Sequence, residues 1–178
     1  MCIRDSNWWT VTAAVPDMFD HIVGGFAFYR DAKRKLSPQL RELAQTRTGW
    51  ARGSQFVYSQ HVKASRQVGL SPEKVDSIRS WSVADCYEPV ERLVLAYTDC
   101  LVLHGGRVPD ELFDKLRAAL SDEEILELTY ITCTYDMHAT MSKALRLEYD
   151  DVDDPIVEIA APEGASMDAM AVVEDLEE

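Results

Sequence analysis

Leu40-Arg-Glu-Leu-Ala44, followed past Trp50 by Gln55-Phe-Val-Tyr-Ser-Gln-His-Val-Lys-Ala-Ser-Arg-Gln-Val-Gly-Leu70, decides the fold. Ser37-Pro38 is a cap residue followed by a proline at the first helical position, which starts a helix over 39–50. Leu40, Leu43 and Ala44 lie on one face of it. Gly53-Ser54 precedes a second run to Val68, and Gly69 stops that run. Two short helices joined by a tight connection are antiparallel neighbours, so Glu42 on the first and His61 on the second, 19 residues apart, can meet. Ser54 and Tyr58 fall seven and three residues before His61. A carboxylate holding an imidazole is a ready proton relay. On spacing alone the same two residues also fit a surface pair or a core histidine with its hydrogen bonds satisfied.

Outward from this hairpin the punctuation stays helical. Pro16-Asp17 opens a run with Met18, Phe19, Ile22, Val23, Phe26 and Tyr29 at helical spacing. Gly24-Gly25 weakens it by about 1 kcal/mol per glycine. Ser71-Pro72-Glu73 starts a short helix ending near Arg79, and residues 80–87 read as a connector. Glu88-Pro89 opens a long apolar helix that ends at His104-Gly-Gly-Arg107. Pro109-Asp110 starts a further one through Leu120. Ser121-Asp-Glu-Glu124 is a capping box and opens the longest helix, over 122–147. The best candidate strand, Ile156 to Ala160, is short. The expectation is an all-α domain of six to seven helices over residues 7–150. Residues 1–6, Met-Cys-Ile-Arg-Asp-Ser, look like a translated adapter and are read as a non-native leader. Residues 151–178 are read as an acidic, mostly disordered tail.

Charge supports that division. From Asp150 to Glu178 there are 11 acidic and no basic residues, so of the net −13 only −2 belongs to residues 1–149. A body without a basic excess does not suit nucleic acid. No run of 18 apolar residues exists to cross a membrane, and no signal peptide is visible, so the expected setting is the cytoplasm. Four cysteines at 2, 86, 100 and 133 form no CxxC and read as reduced thiols. Asp136 and His138 have no third ligand at a fitting spacing, so no metal is expected. Tyr130, Thr134 and His138 fall at i, i+4 and i+8 on the longest helix. No phosphate-cradling glycine motif is present.

The ordered set of motifs resembles the carboxymuconolactone decarboxylase family, which includes the AhpD-like (alkylhydroperoxidase D-like) proteins. The resemblance is carried by Leu40-Arg-Glu-Leu43 and by Gln60-His-x-Lys-Ala64 running on to Gly69-Leu-Ser71. In the second half it is carried by Glu91 to Asp99, Val108 to Phe113, Leu120 to Thr129, and Tyr135-Asp-Met137. It implies an all-helical, AhpD-like fold over about residues 15–150, assembled as a trimer or hexamer. The apolar cluster of Trp8-Trp9, Phe26, Phe28 and Tyr29 suggests that part of it lies in a subunit interface.

The resemblance also implies roles. In the AhpD-like branch a Glu and a His relay protons to a CxxC pair that reduces peroxides. Glu42 and His61 match the relay positions, but the two cysteine positions hold Ser54 and Val57, which cannot supply a thiolate. The decarboxylase branch needs no thiol pair and no cofactor. The expected catalytic residues are therefore Glu42 and His61, with Ser54, Tyr58 and Tyr135 binding a small organic acid, lactone or related carbonyl substrate. Two alternatives stand beside this: a peroxiredoxin-type antioxidant enzyme, and a non-catalytic helical oligomer that binds a ligand or partner. A buried Glu42–His61 contact that opens on a pocket would favour an enzyme, and an exposed, pocketless His61 the non-catalytic oligomer.

Overall fold

The computed structural model describes residues 7–147, which contain helices and no strand. In chain order these are α1 (Asn7–Thr12), α2 (Pro16–Arg30), α3 (Pro38–Ala51), α4 (Gln55–Gln67), α5 (Pro72–Asp76), a 3-10 helix (Ser77–Val83), α6 (Pro89–Leu103), α7 (Asp110–Ala119) and α8 (Asp122–Ala144). The all-α expectation holds, while the number of helices is larger than six to seven. α1 was not foreseen: it has six residues, with no acidic residue in its first turn and no basic one in its last. The stretch at 72–79 is two elements: α5 ends at Asp76, and the backbone tightens into a 3-10 helix from Ser77 that is itself kinked at Ser80. That 3-10 helix also occupies the first half of the supposed connector. α8 stops at Ala144, three residues early, and Arg146 adopts a left-handed φ of 53° just beyond it. The leader, the acidic tail and the candidate strand at 156–160 lie outside the described residues.

The caps read from the sequence at Ser37, Ser71 and Ser121 form, and Ser54 adds one that was not read as a cap. Ser37, Ser54, Ser71 and Ser121 each accept a hydrogen bond from a backbone N–H three residues on, at the starts of α3, α4, α5 and α8. Each such cap stabilises its helix by about 1 kcal/mol. α6 carries a capping box, with Glu88 and Glu91 as its two sides.

α3 is the central helix, buried along Glu42–Gly49 and in contact with α4, α6, α8 and the 3-10 helix. A central helix with polar residues must satisfy them internally. Thr46 Oγ1 donates to the Glu42 carbonyl at 2.7 Å and lies 3.0 Å from Ser65 Oγ on α4. Arg47 forks onto Asp99 of α6 at 2.6 and 2.9 Å and donates to the Ile78 carbonyl of the 3-10 helix. Trp81 Nε1 donates to the same carboxylate at 3.0 Å. These bonds fix the rotation of α3 and thereby turn Glu42 toward α4.

A second apolar cluster seals the other side. Trp8, Trp9 and Ile22 pack with Phe26, Phe56 and Met141. Trp8, Trp9 and Tyr29 are thus buried within one chain, because α1 lays its indoles against α2 and the end of α8. Of the apolar cluster read from the sequence, Phe28 stays 44% exposed. Among the described residues no helix is long and apolar enough to cross a membrane.

Candidate functional site

Glu42 and His61 are brought together. Glu42 Oε2 lies 2.7 Å from His61 Nδ1, and both side chains are almost fully buried. An ionised carboxylate only accepts, so Nδ1 carries the proton in this contact and the lone pair of neutral His61 sits on Nε2. The second carboxylate oxygen is held separately. Arg41 Nε and a terminal nitrogen of its guanidinium donate to Oε1 at 3.2 and 3.1 Å, and the other terminal nitrogen donates to the Tyr29 carbonyl at 3.0 Å. With its amide nitrogen turned to the carboxylate, Gln45 donates to both oxygens at 3.1 Å. Burial alone would push the Glu42 carboxyl upward, but His61 and then Arg41 outweigh it and hold the group below its ordinary value. The carboxylate is therefore ionised and anchored before His61 takes or gives a proton.

Tyr135 of α8 stands edge-on to His61, ring centroids 4.3 Å apart at 89°. Its hydroxyl lies 2.7 Å from that of Tyr29 on α2. Burial pushes the Tyr29 phenol up to about 12, and raises that of Tyr135 well above its ordinary value. His138, one turn further along α8, is enclosed by rings: Trp8 at 4.6 Å, Tyr135 at 5.0 Å and Phe26 at 5.5 Å. Desolvation, and secondarily the nearby His61, lower its pKa to about 4, so His138 is neutral at physiological pH.

The other expected site residues are placed differently. Ser54 is buried at the N-terminus of α4, where its Oγ accepts from the Val57 N–H at 3.3 Å and lies 3.0 Å from Ser142 Oγ. Seven residues of helix separate it from His61 by about 10 Å along the axis. Tyr58 is half-buried and does not join the cluster around His61; the charges that act on it belong to Arg79, Asp76 and Arg66. Tyr130, Thr134 and His138 do not share a face: Tyr130 is exposed and His138 buried. Asp136 is paired with Arg52 instead of lying beside His138. Among the described residues no three His, Cys, Asp or Glu are grouped to hold a metal ion.

The model of the carboxymuconolactone decarboxylase family matches residues 16–99, which include both Glu42 and His61. That stretch of the chain is similar to the carboxymuconolactone decarboxylase family. The uncharacterized protein YdfG of Bacillus subtilis (strain 168) is 28% identical over 97 residues, which span 54% of this chain and 66% of that protein, just under two thirds of its length. Among solved structures, a protein of unknown function from Agrobacterium tumefaciens, provisionally named after the antioxidant defence protein AhpD, superposes with a TM-score of 0.73 at 24% identity. That match covers 83% of this chain and 97% of the other. The debrominase Bmp8 in complex with 2,3,4-tribromopyrrole gives a TM-score of 0.71 at 19% identity over 80% of this chain and 76% of its own. These likenesses show the fold, an AhpD-like all-α domain. Trp8, His138 and Tyr135 lie outside the family-matched span and yet pack one against the next, ending on His61.

Proposed function

We propose that this protein is a thiol-independent, carboxymuconolactone decarboxylase-like lyase in which His61 transfers a proton to or from carbon and Glu42 orients it. The observation that carries this reading is the buried 2.7 Å contact between Glu42 Oε2 and His61 Nδ1, with Oε1 separately occupied by Arg41. Because Arg41 and Gln45 anchor the carboxylate, its position does not depend on the charge of His61. Nε2 is then the nitrogen free to meet a substrate.

In a decarboxylation the substrate C–CO2 bond breaks and its electron pair passes into an adjacent carbonyl, releasing carbon dioxide and an enolate. The His61 imidazolium delivers its proton to the carbon as the enolate collapses, and charge balances. The substrate class is a small organic acid or lactone whose carbonyl accepts the electron pair. Tyr135, in ring contact with His61, supplies a substrate-binding surface. Ser54 and Tyr58 have weaker support, since one is capped onto α4 and Ser142 and the other lies toward Asp76 and Arg79.

The antioxidant alternative lacks its thiols, because Ser54 and Val57 stand where the dithiol would be. A homo-oligomer, trimeric or hexameric, remains part of the proposal, as does a cytoplasmic setting. The oligomer is supported by Leu126, Tyr130, Cys133 and Met137, which are exposed at 4-3-4 spacing along α8. The reaction is tested by incubating the protein with lactones and keto acids and following carbon dioxide release. Release above the rate with a heat-inactivated control is expected for at least one member. Release that His61→Ala leaves unchanged would refute the role of the pair.

A further inference from the structure

The hydroxyls of Tyr29 and Tyr135 leave a proton over. Two phenols own two O–H donors, and a single hydrogen bond joins them at 2.7 Å. Neither hydroxyl has another partner among the described residues, and both rings are buried. One O–H is therefore directed elsewhere without a protein acceptor. Leaving a buried donor unsatisfied costs about 1–3 kcal/mol, so a site that retains one is suited to an acceptor that arrives with the substrate.

Its location favours one kind of acceptor. Tyr135 is the ring shared by the whole cluster: it meets His61 at 4.3 Å, His138 at 5.0 Å and Tyr29 at 5.9 Å. A base that moves a proton on carbon needs a partner group where negative charge develops, on the carbonyl oxygen. Glu42 cannot serve, since it is an anion already engaged by Arg41, Gln45 and His61. His138 sits between rings and is neutral. The tyrosine pair is neutral, protonated and adjacent.

We propose that Tyr29 donates to Tyr135 and Tyr135 donates its own proton to the oxyanion of an enolate-type intermediate, making Tyr135 a catalytic residue and Tyr29 the residue that positions and polarises it. This rests on the reading of His61 as the proton-transfer group and extends it to the substrate: an enolisable carbonyl compound whose oxygen lies against Tyr135. In the reaction the electron pair released at carbon reaches the carbonyl oxygen, the Tyr135 O–H holds it by a hydrogen bond without losing its proton, and the pair returns to carbon when His61 reprotonates it. A hydrogen bond that strengthens as charge builds on the oxygen accelerates the step, and in a linked pair each bond strengthens the other.

The test uses the full-length protein and 4-nitrophenol, whose anion places negative charge on an oxygen attached to a flat ring and reports its ionisation by visible absorbance. 4-Nitroanisole, which cannot ionise, is the control. Wild type is expected to bind the nitrophenolate at least tenfold more tightly than nitroanisole. Tyr135→Phe should weaken the anion by about tenfold or more, and Tyr29→Phe by a smaller factor, with nitroanisole binding unchanged in both. His61→Ala should retain the preference for the anion while losing turnover, so failure of the base and failure of the oxyanion site are read separately. Nitrophenolate bound no better than nitroanisole, no binding of either at millimolar concentration, or Tyr135→Phe binding the anion like wild type would each overturn the proposal. Circular dichroism and thermal melting confirm that the variants fold, and each folded variant is compared with wild type on its own.

Discussion

Gly49 and Tyr58 meet backbone against backbone where α3 crosses α4. A Cβ on Gly49 would lie 2.6 Å from the Tyr58 nitrogen and 2.8 Å from its Cα, so any side chain there forces the two helices apart. The same crossing sets Glu42 opposite His61. Gly49→Ala is expected to destabilise the protein by about 1–3 kcal/mol despite the better helix propensity of alanine. Gly24→Ala, where nothing lies within 4 Å of the added Cβ, should instead gain up to about 1 kcal/mol. Chemical denaturation of both variants checks the contrast; equal effects would mean that the crossing tolerates separation.

Acid should destabilise the fold in two stages with opposite partners but the same sign. His138 is depressed from 6.5 to about 4 in the folded chain, so below 6.5 the unfolded chain takes up the proton first. Stability is full above that value, falls as pH drops toward 4, and the whole effect is about 3 kcal/mol. Glu42, held below its ordinary 4.5, adds a further loss as pH falls below that value. His138→Phe, which keeps an aromatic ring among Trp8, Phe26 and Tyr135, should flatten the first stage and leave the second. Denaturation midpoints measured from pH 7 to pH 3.5 decide it; an unchanged slope in His138→Phe would show that another group titrates.

Thiol-dependent peroxidase turnover should be absent. Cys86, Cys100 and Cys133 are free; burial pushes the Cys100 thiol up, and partial desolvation with the nearby Asp136 charge raises that of the exposed Cys133, both away from the reactive thiolate. Coupled peroxide-reduction assays should not exceed background. Robust turnover lost in Cys100→Ser or Cys133→Ser would restore the antioxidant reading.

The exposed stripe on α8 should be covered in solution. Light scattering at micromolar concentration is expected to give a mass well above the 20.1 kDa of one chain. Leu126→Glu together with Met137→Glu should shift it toward the monomer, since each would place a charge within an apolar contact. A stable wild-type monomer would show that the stripe faces water.

What was legible in the sequence was what is local. Serine caps and prolines mark helix starts within three residues, and Glu42 and His61 sit on one short hairpin, so their meeting follows from the turn between them. Arg41 was not legible, because adjacent residues on a helix do not normally face each other, and here the arginine curls back onto its neighbour. Tyr29, Tyr135, His138 and Trp8 come from α2, α8 and α1, and only tertiary packing gathers them. Tyr58 shows the limit of counting turns: three residues from His61 is about 60° off its face, enough to send the side chain toward Asp76 and Arg79. α1 escaped notice because six residues without charged end signals carry too little pattern.

The central claim is that His61 moves a proton on carbon with Glu42 holding it. The most direct measurement is incorporation of solvent deuterium at the carbon beside the carbonyl of lactone and keto-acid substrates, followed by NMR for wild type, Glu42→Gln and His61→Ala. Wild type should exchange at least one substrate well above the buffer rate. His61→Ala should lose roughly two orders of magnitude or more, and Glu42→Gln less, with all three proteins folded. His61→Ala exchanging deuterium at the wild-type rate would contradict the account.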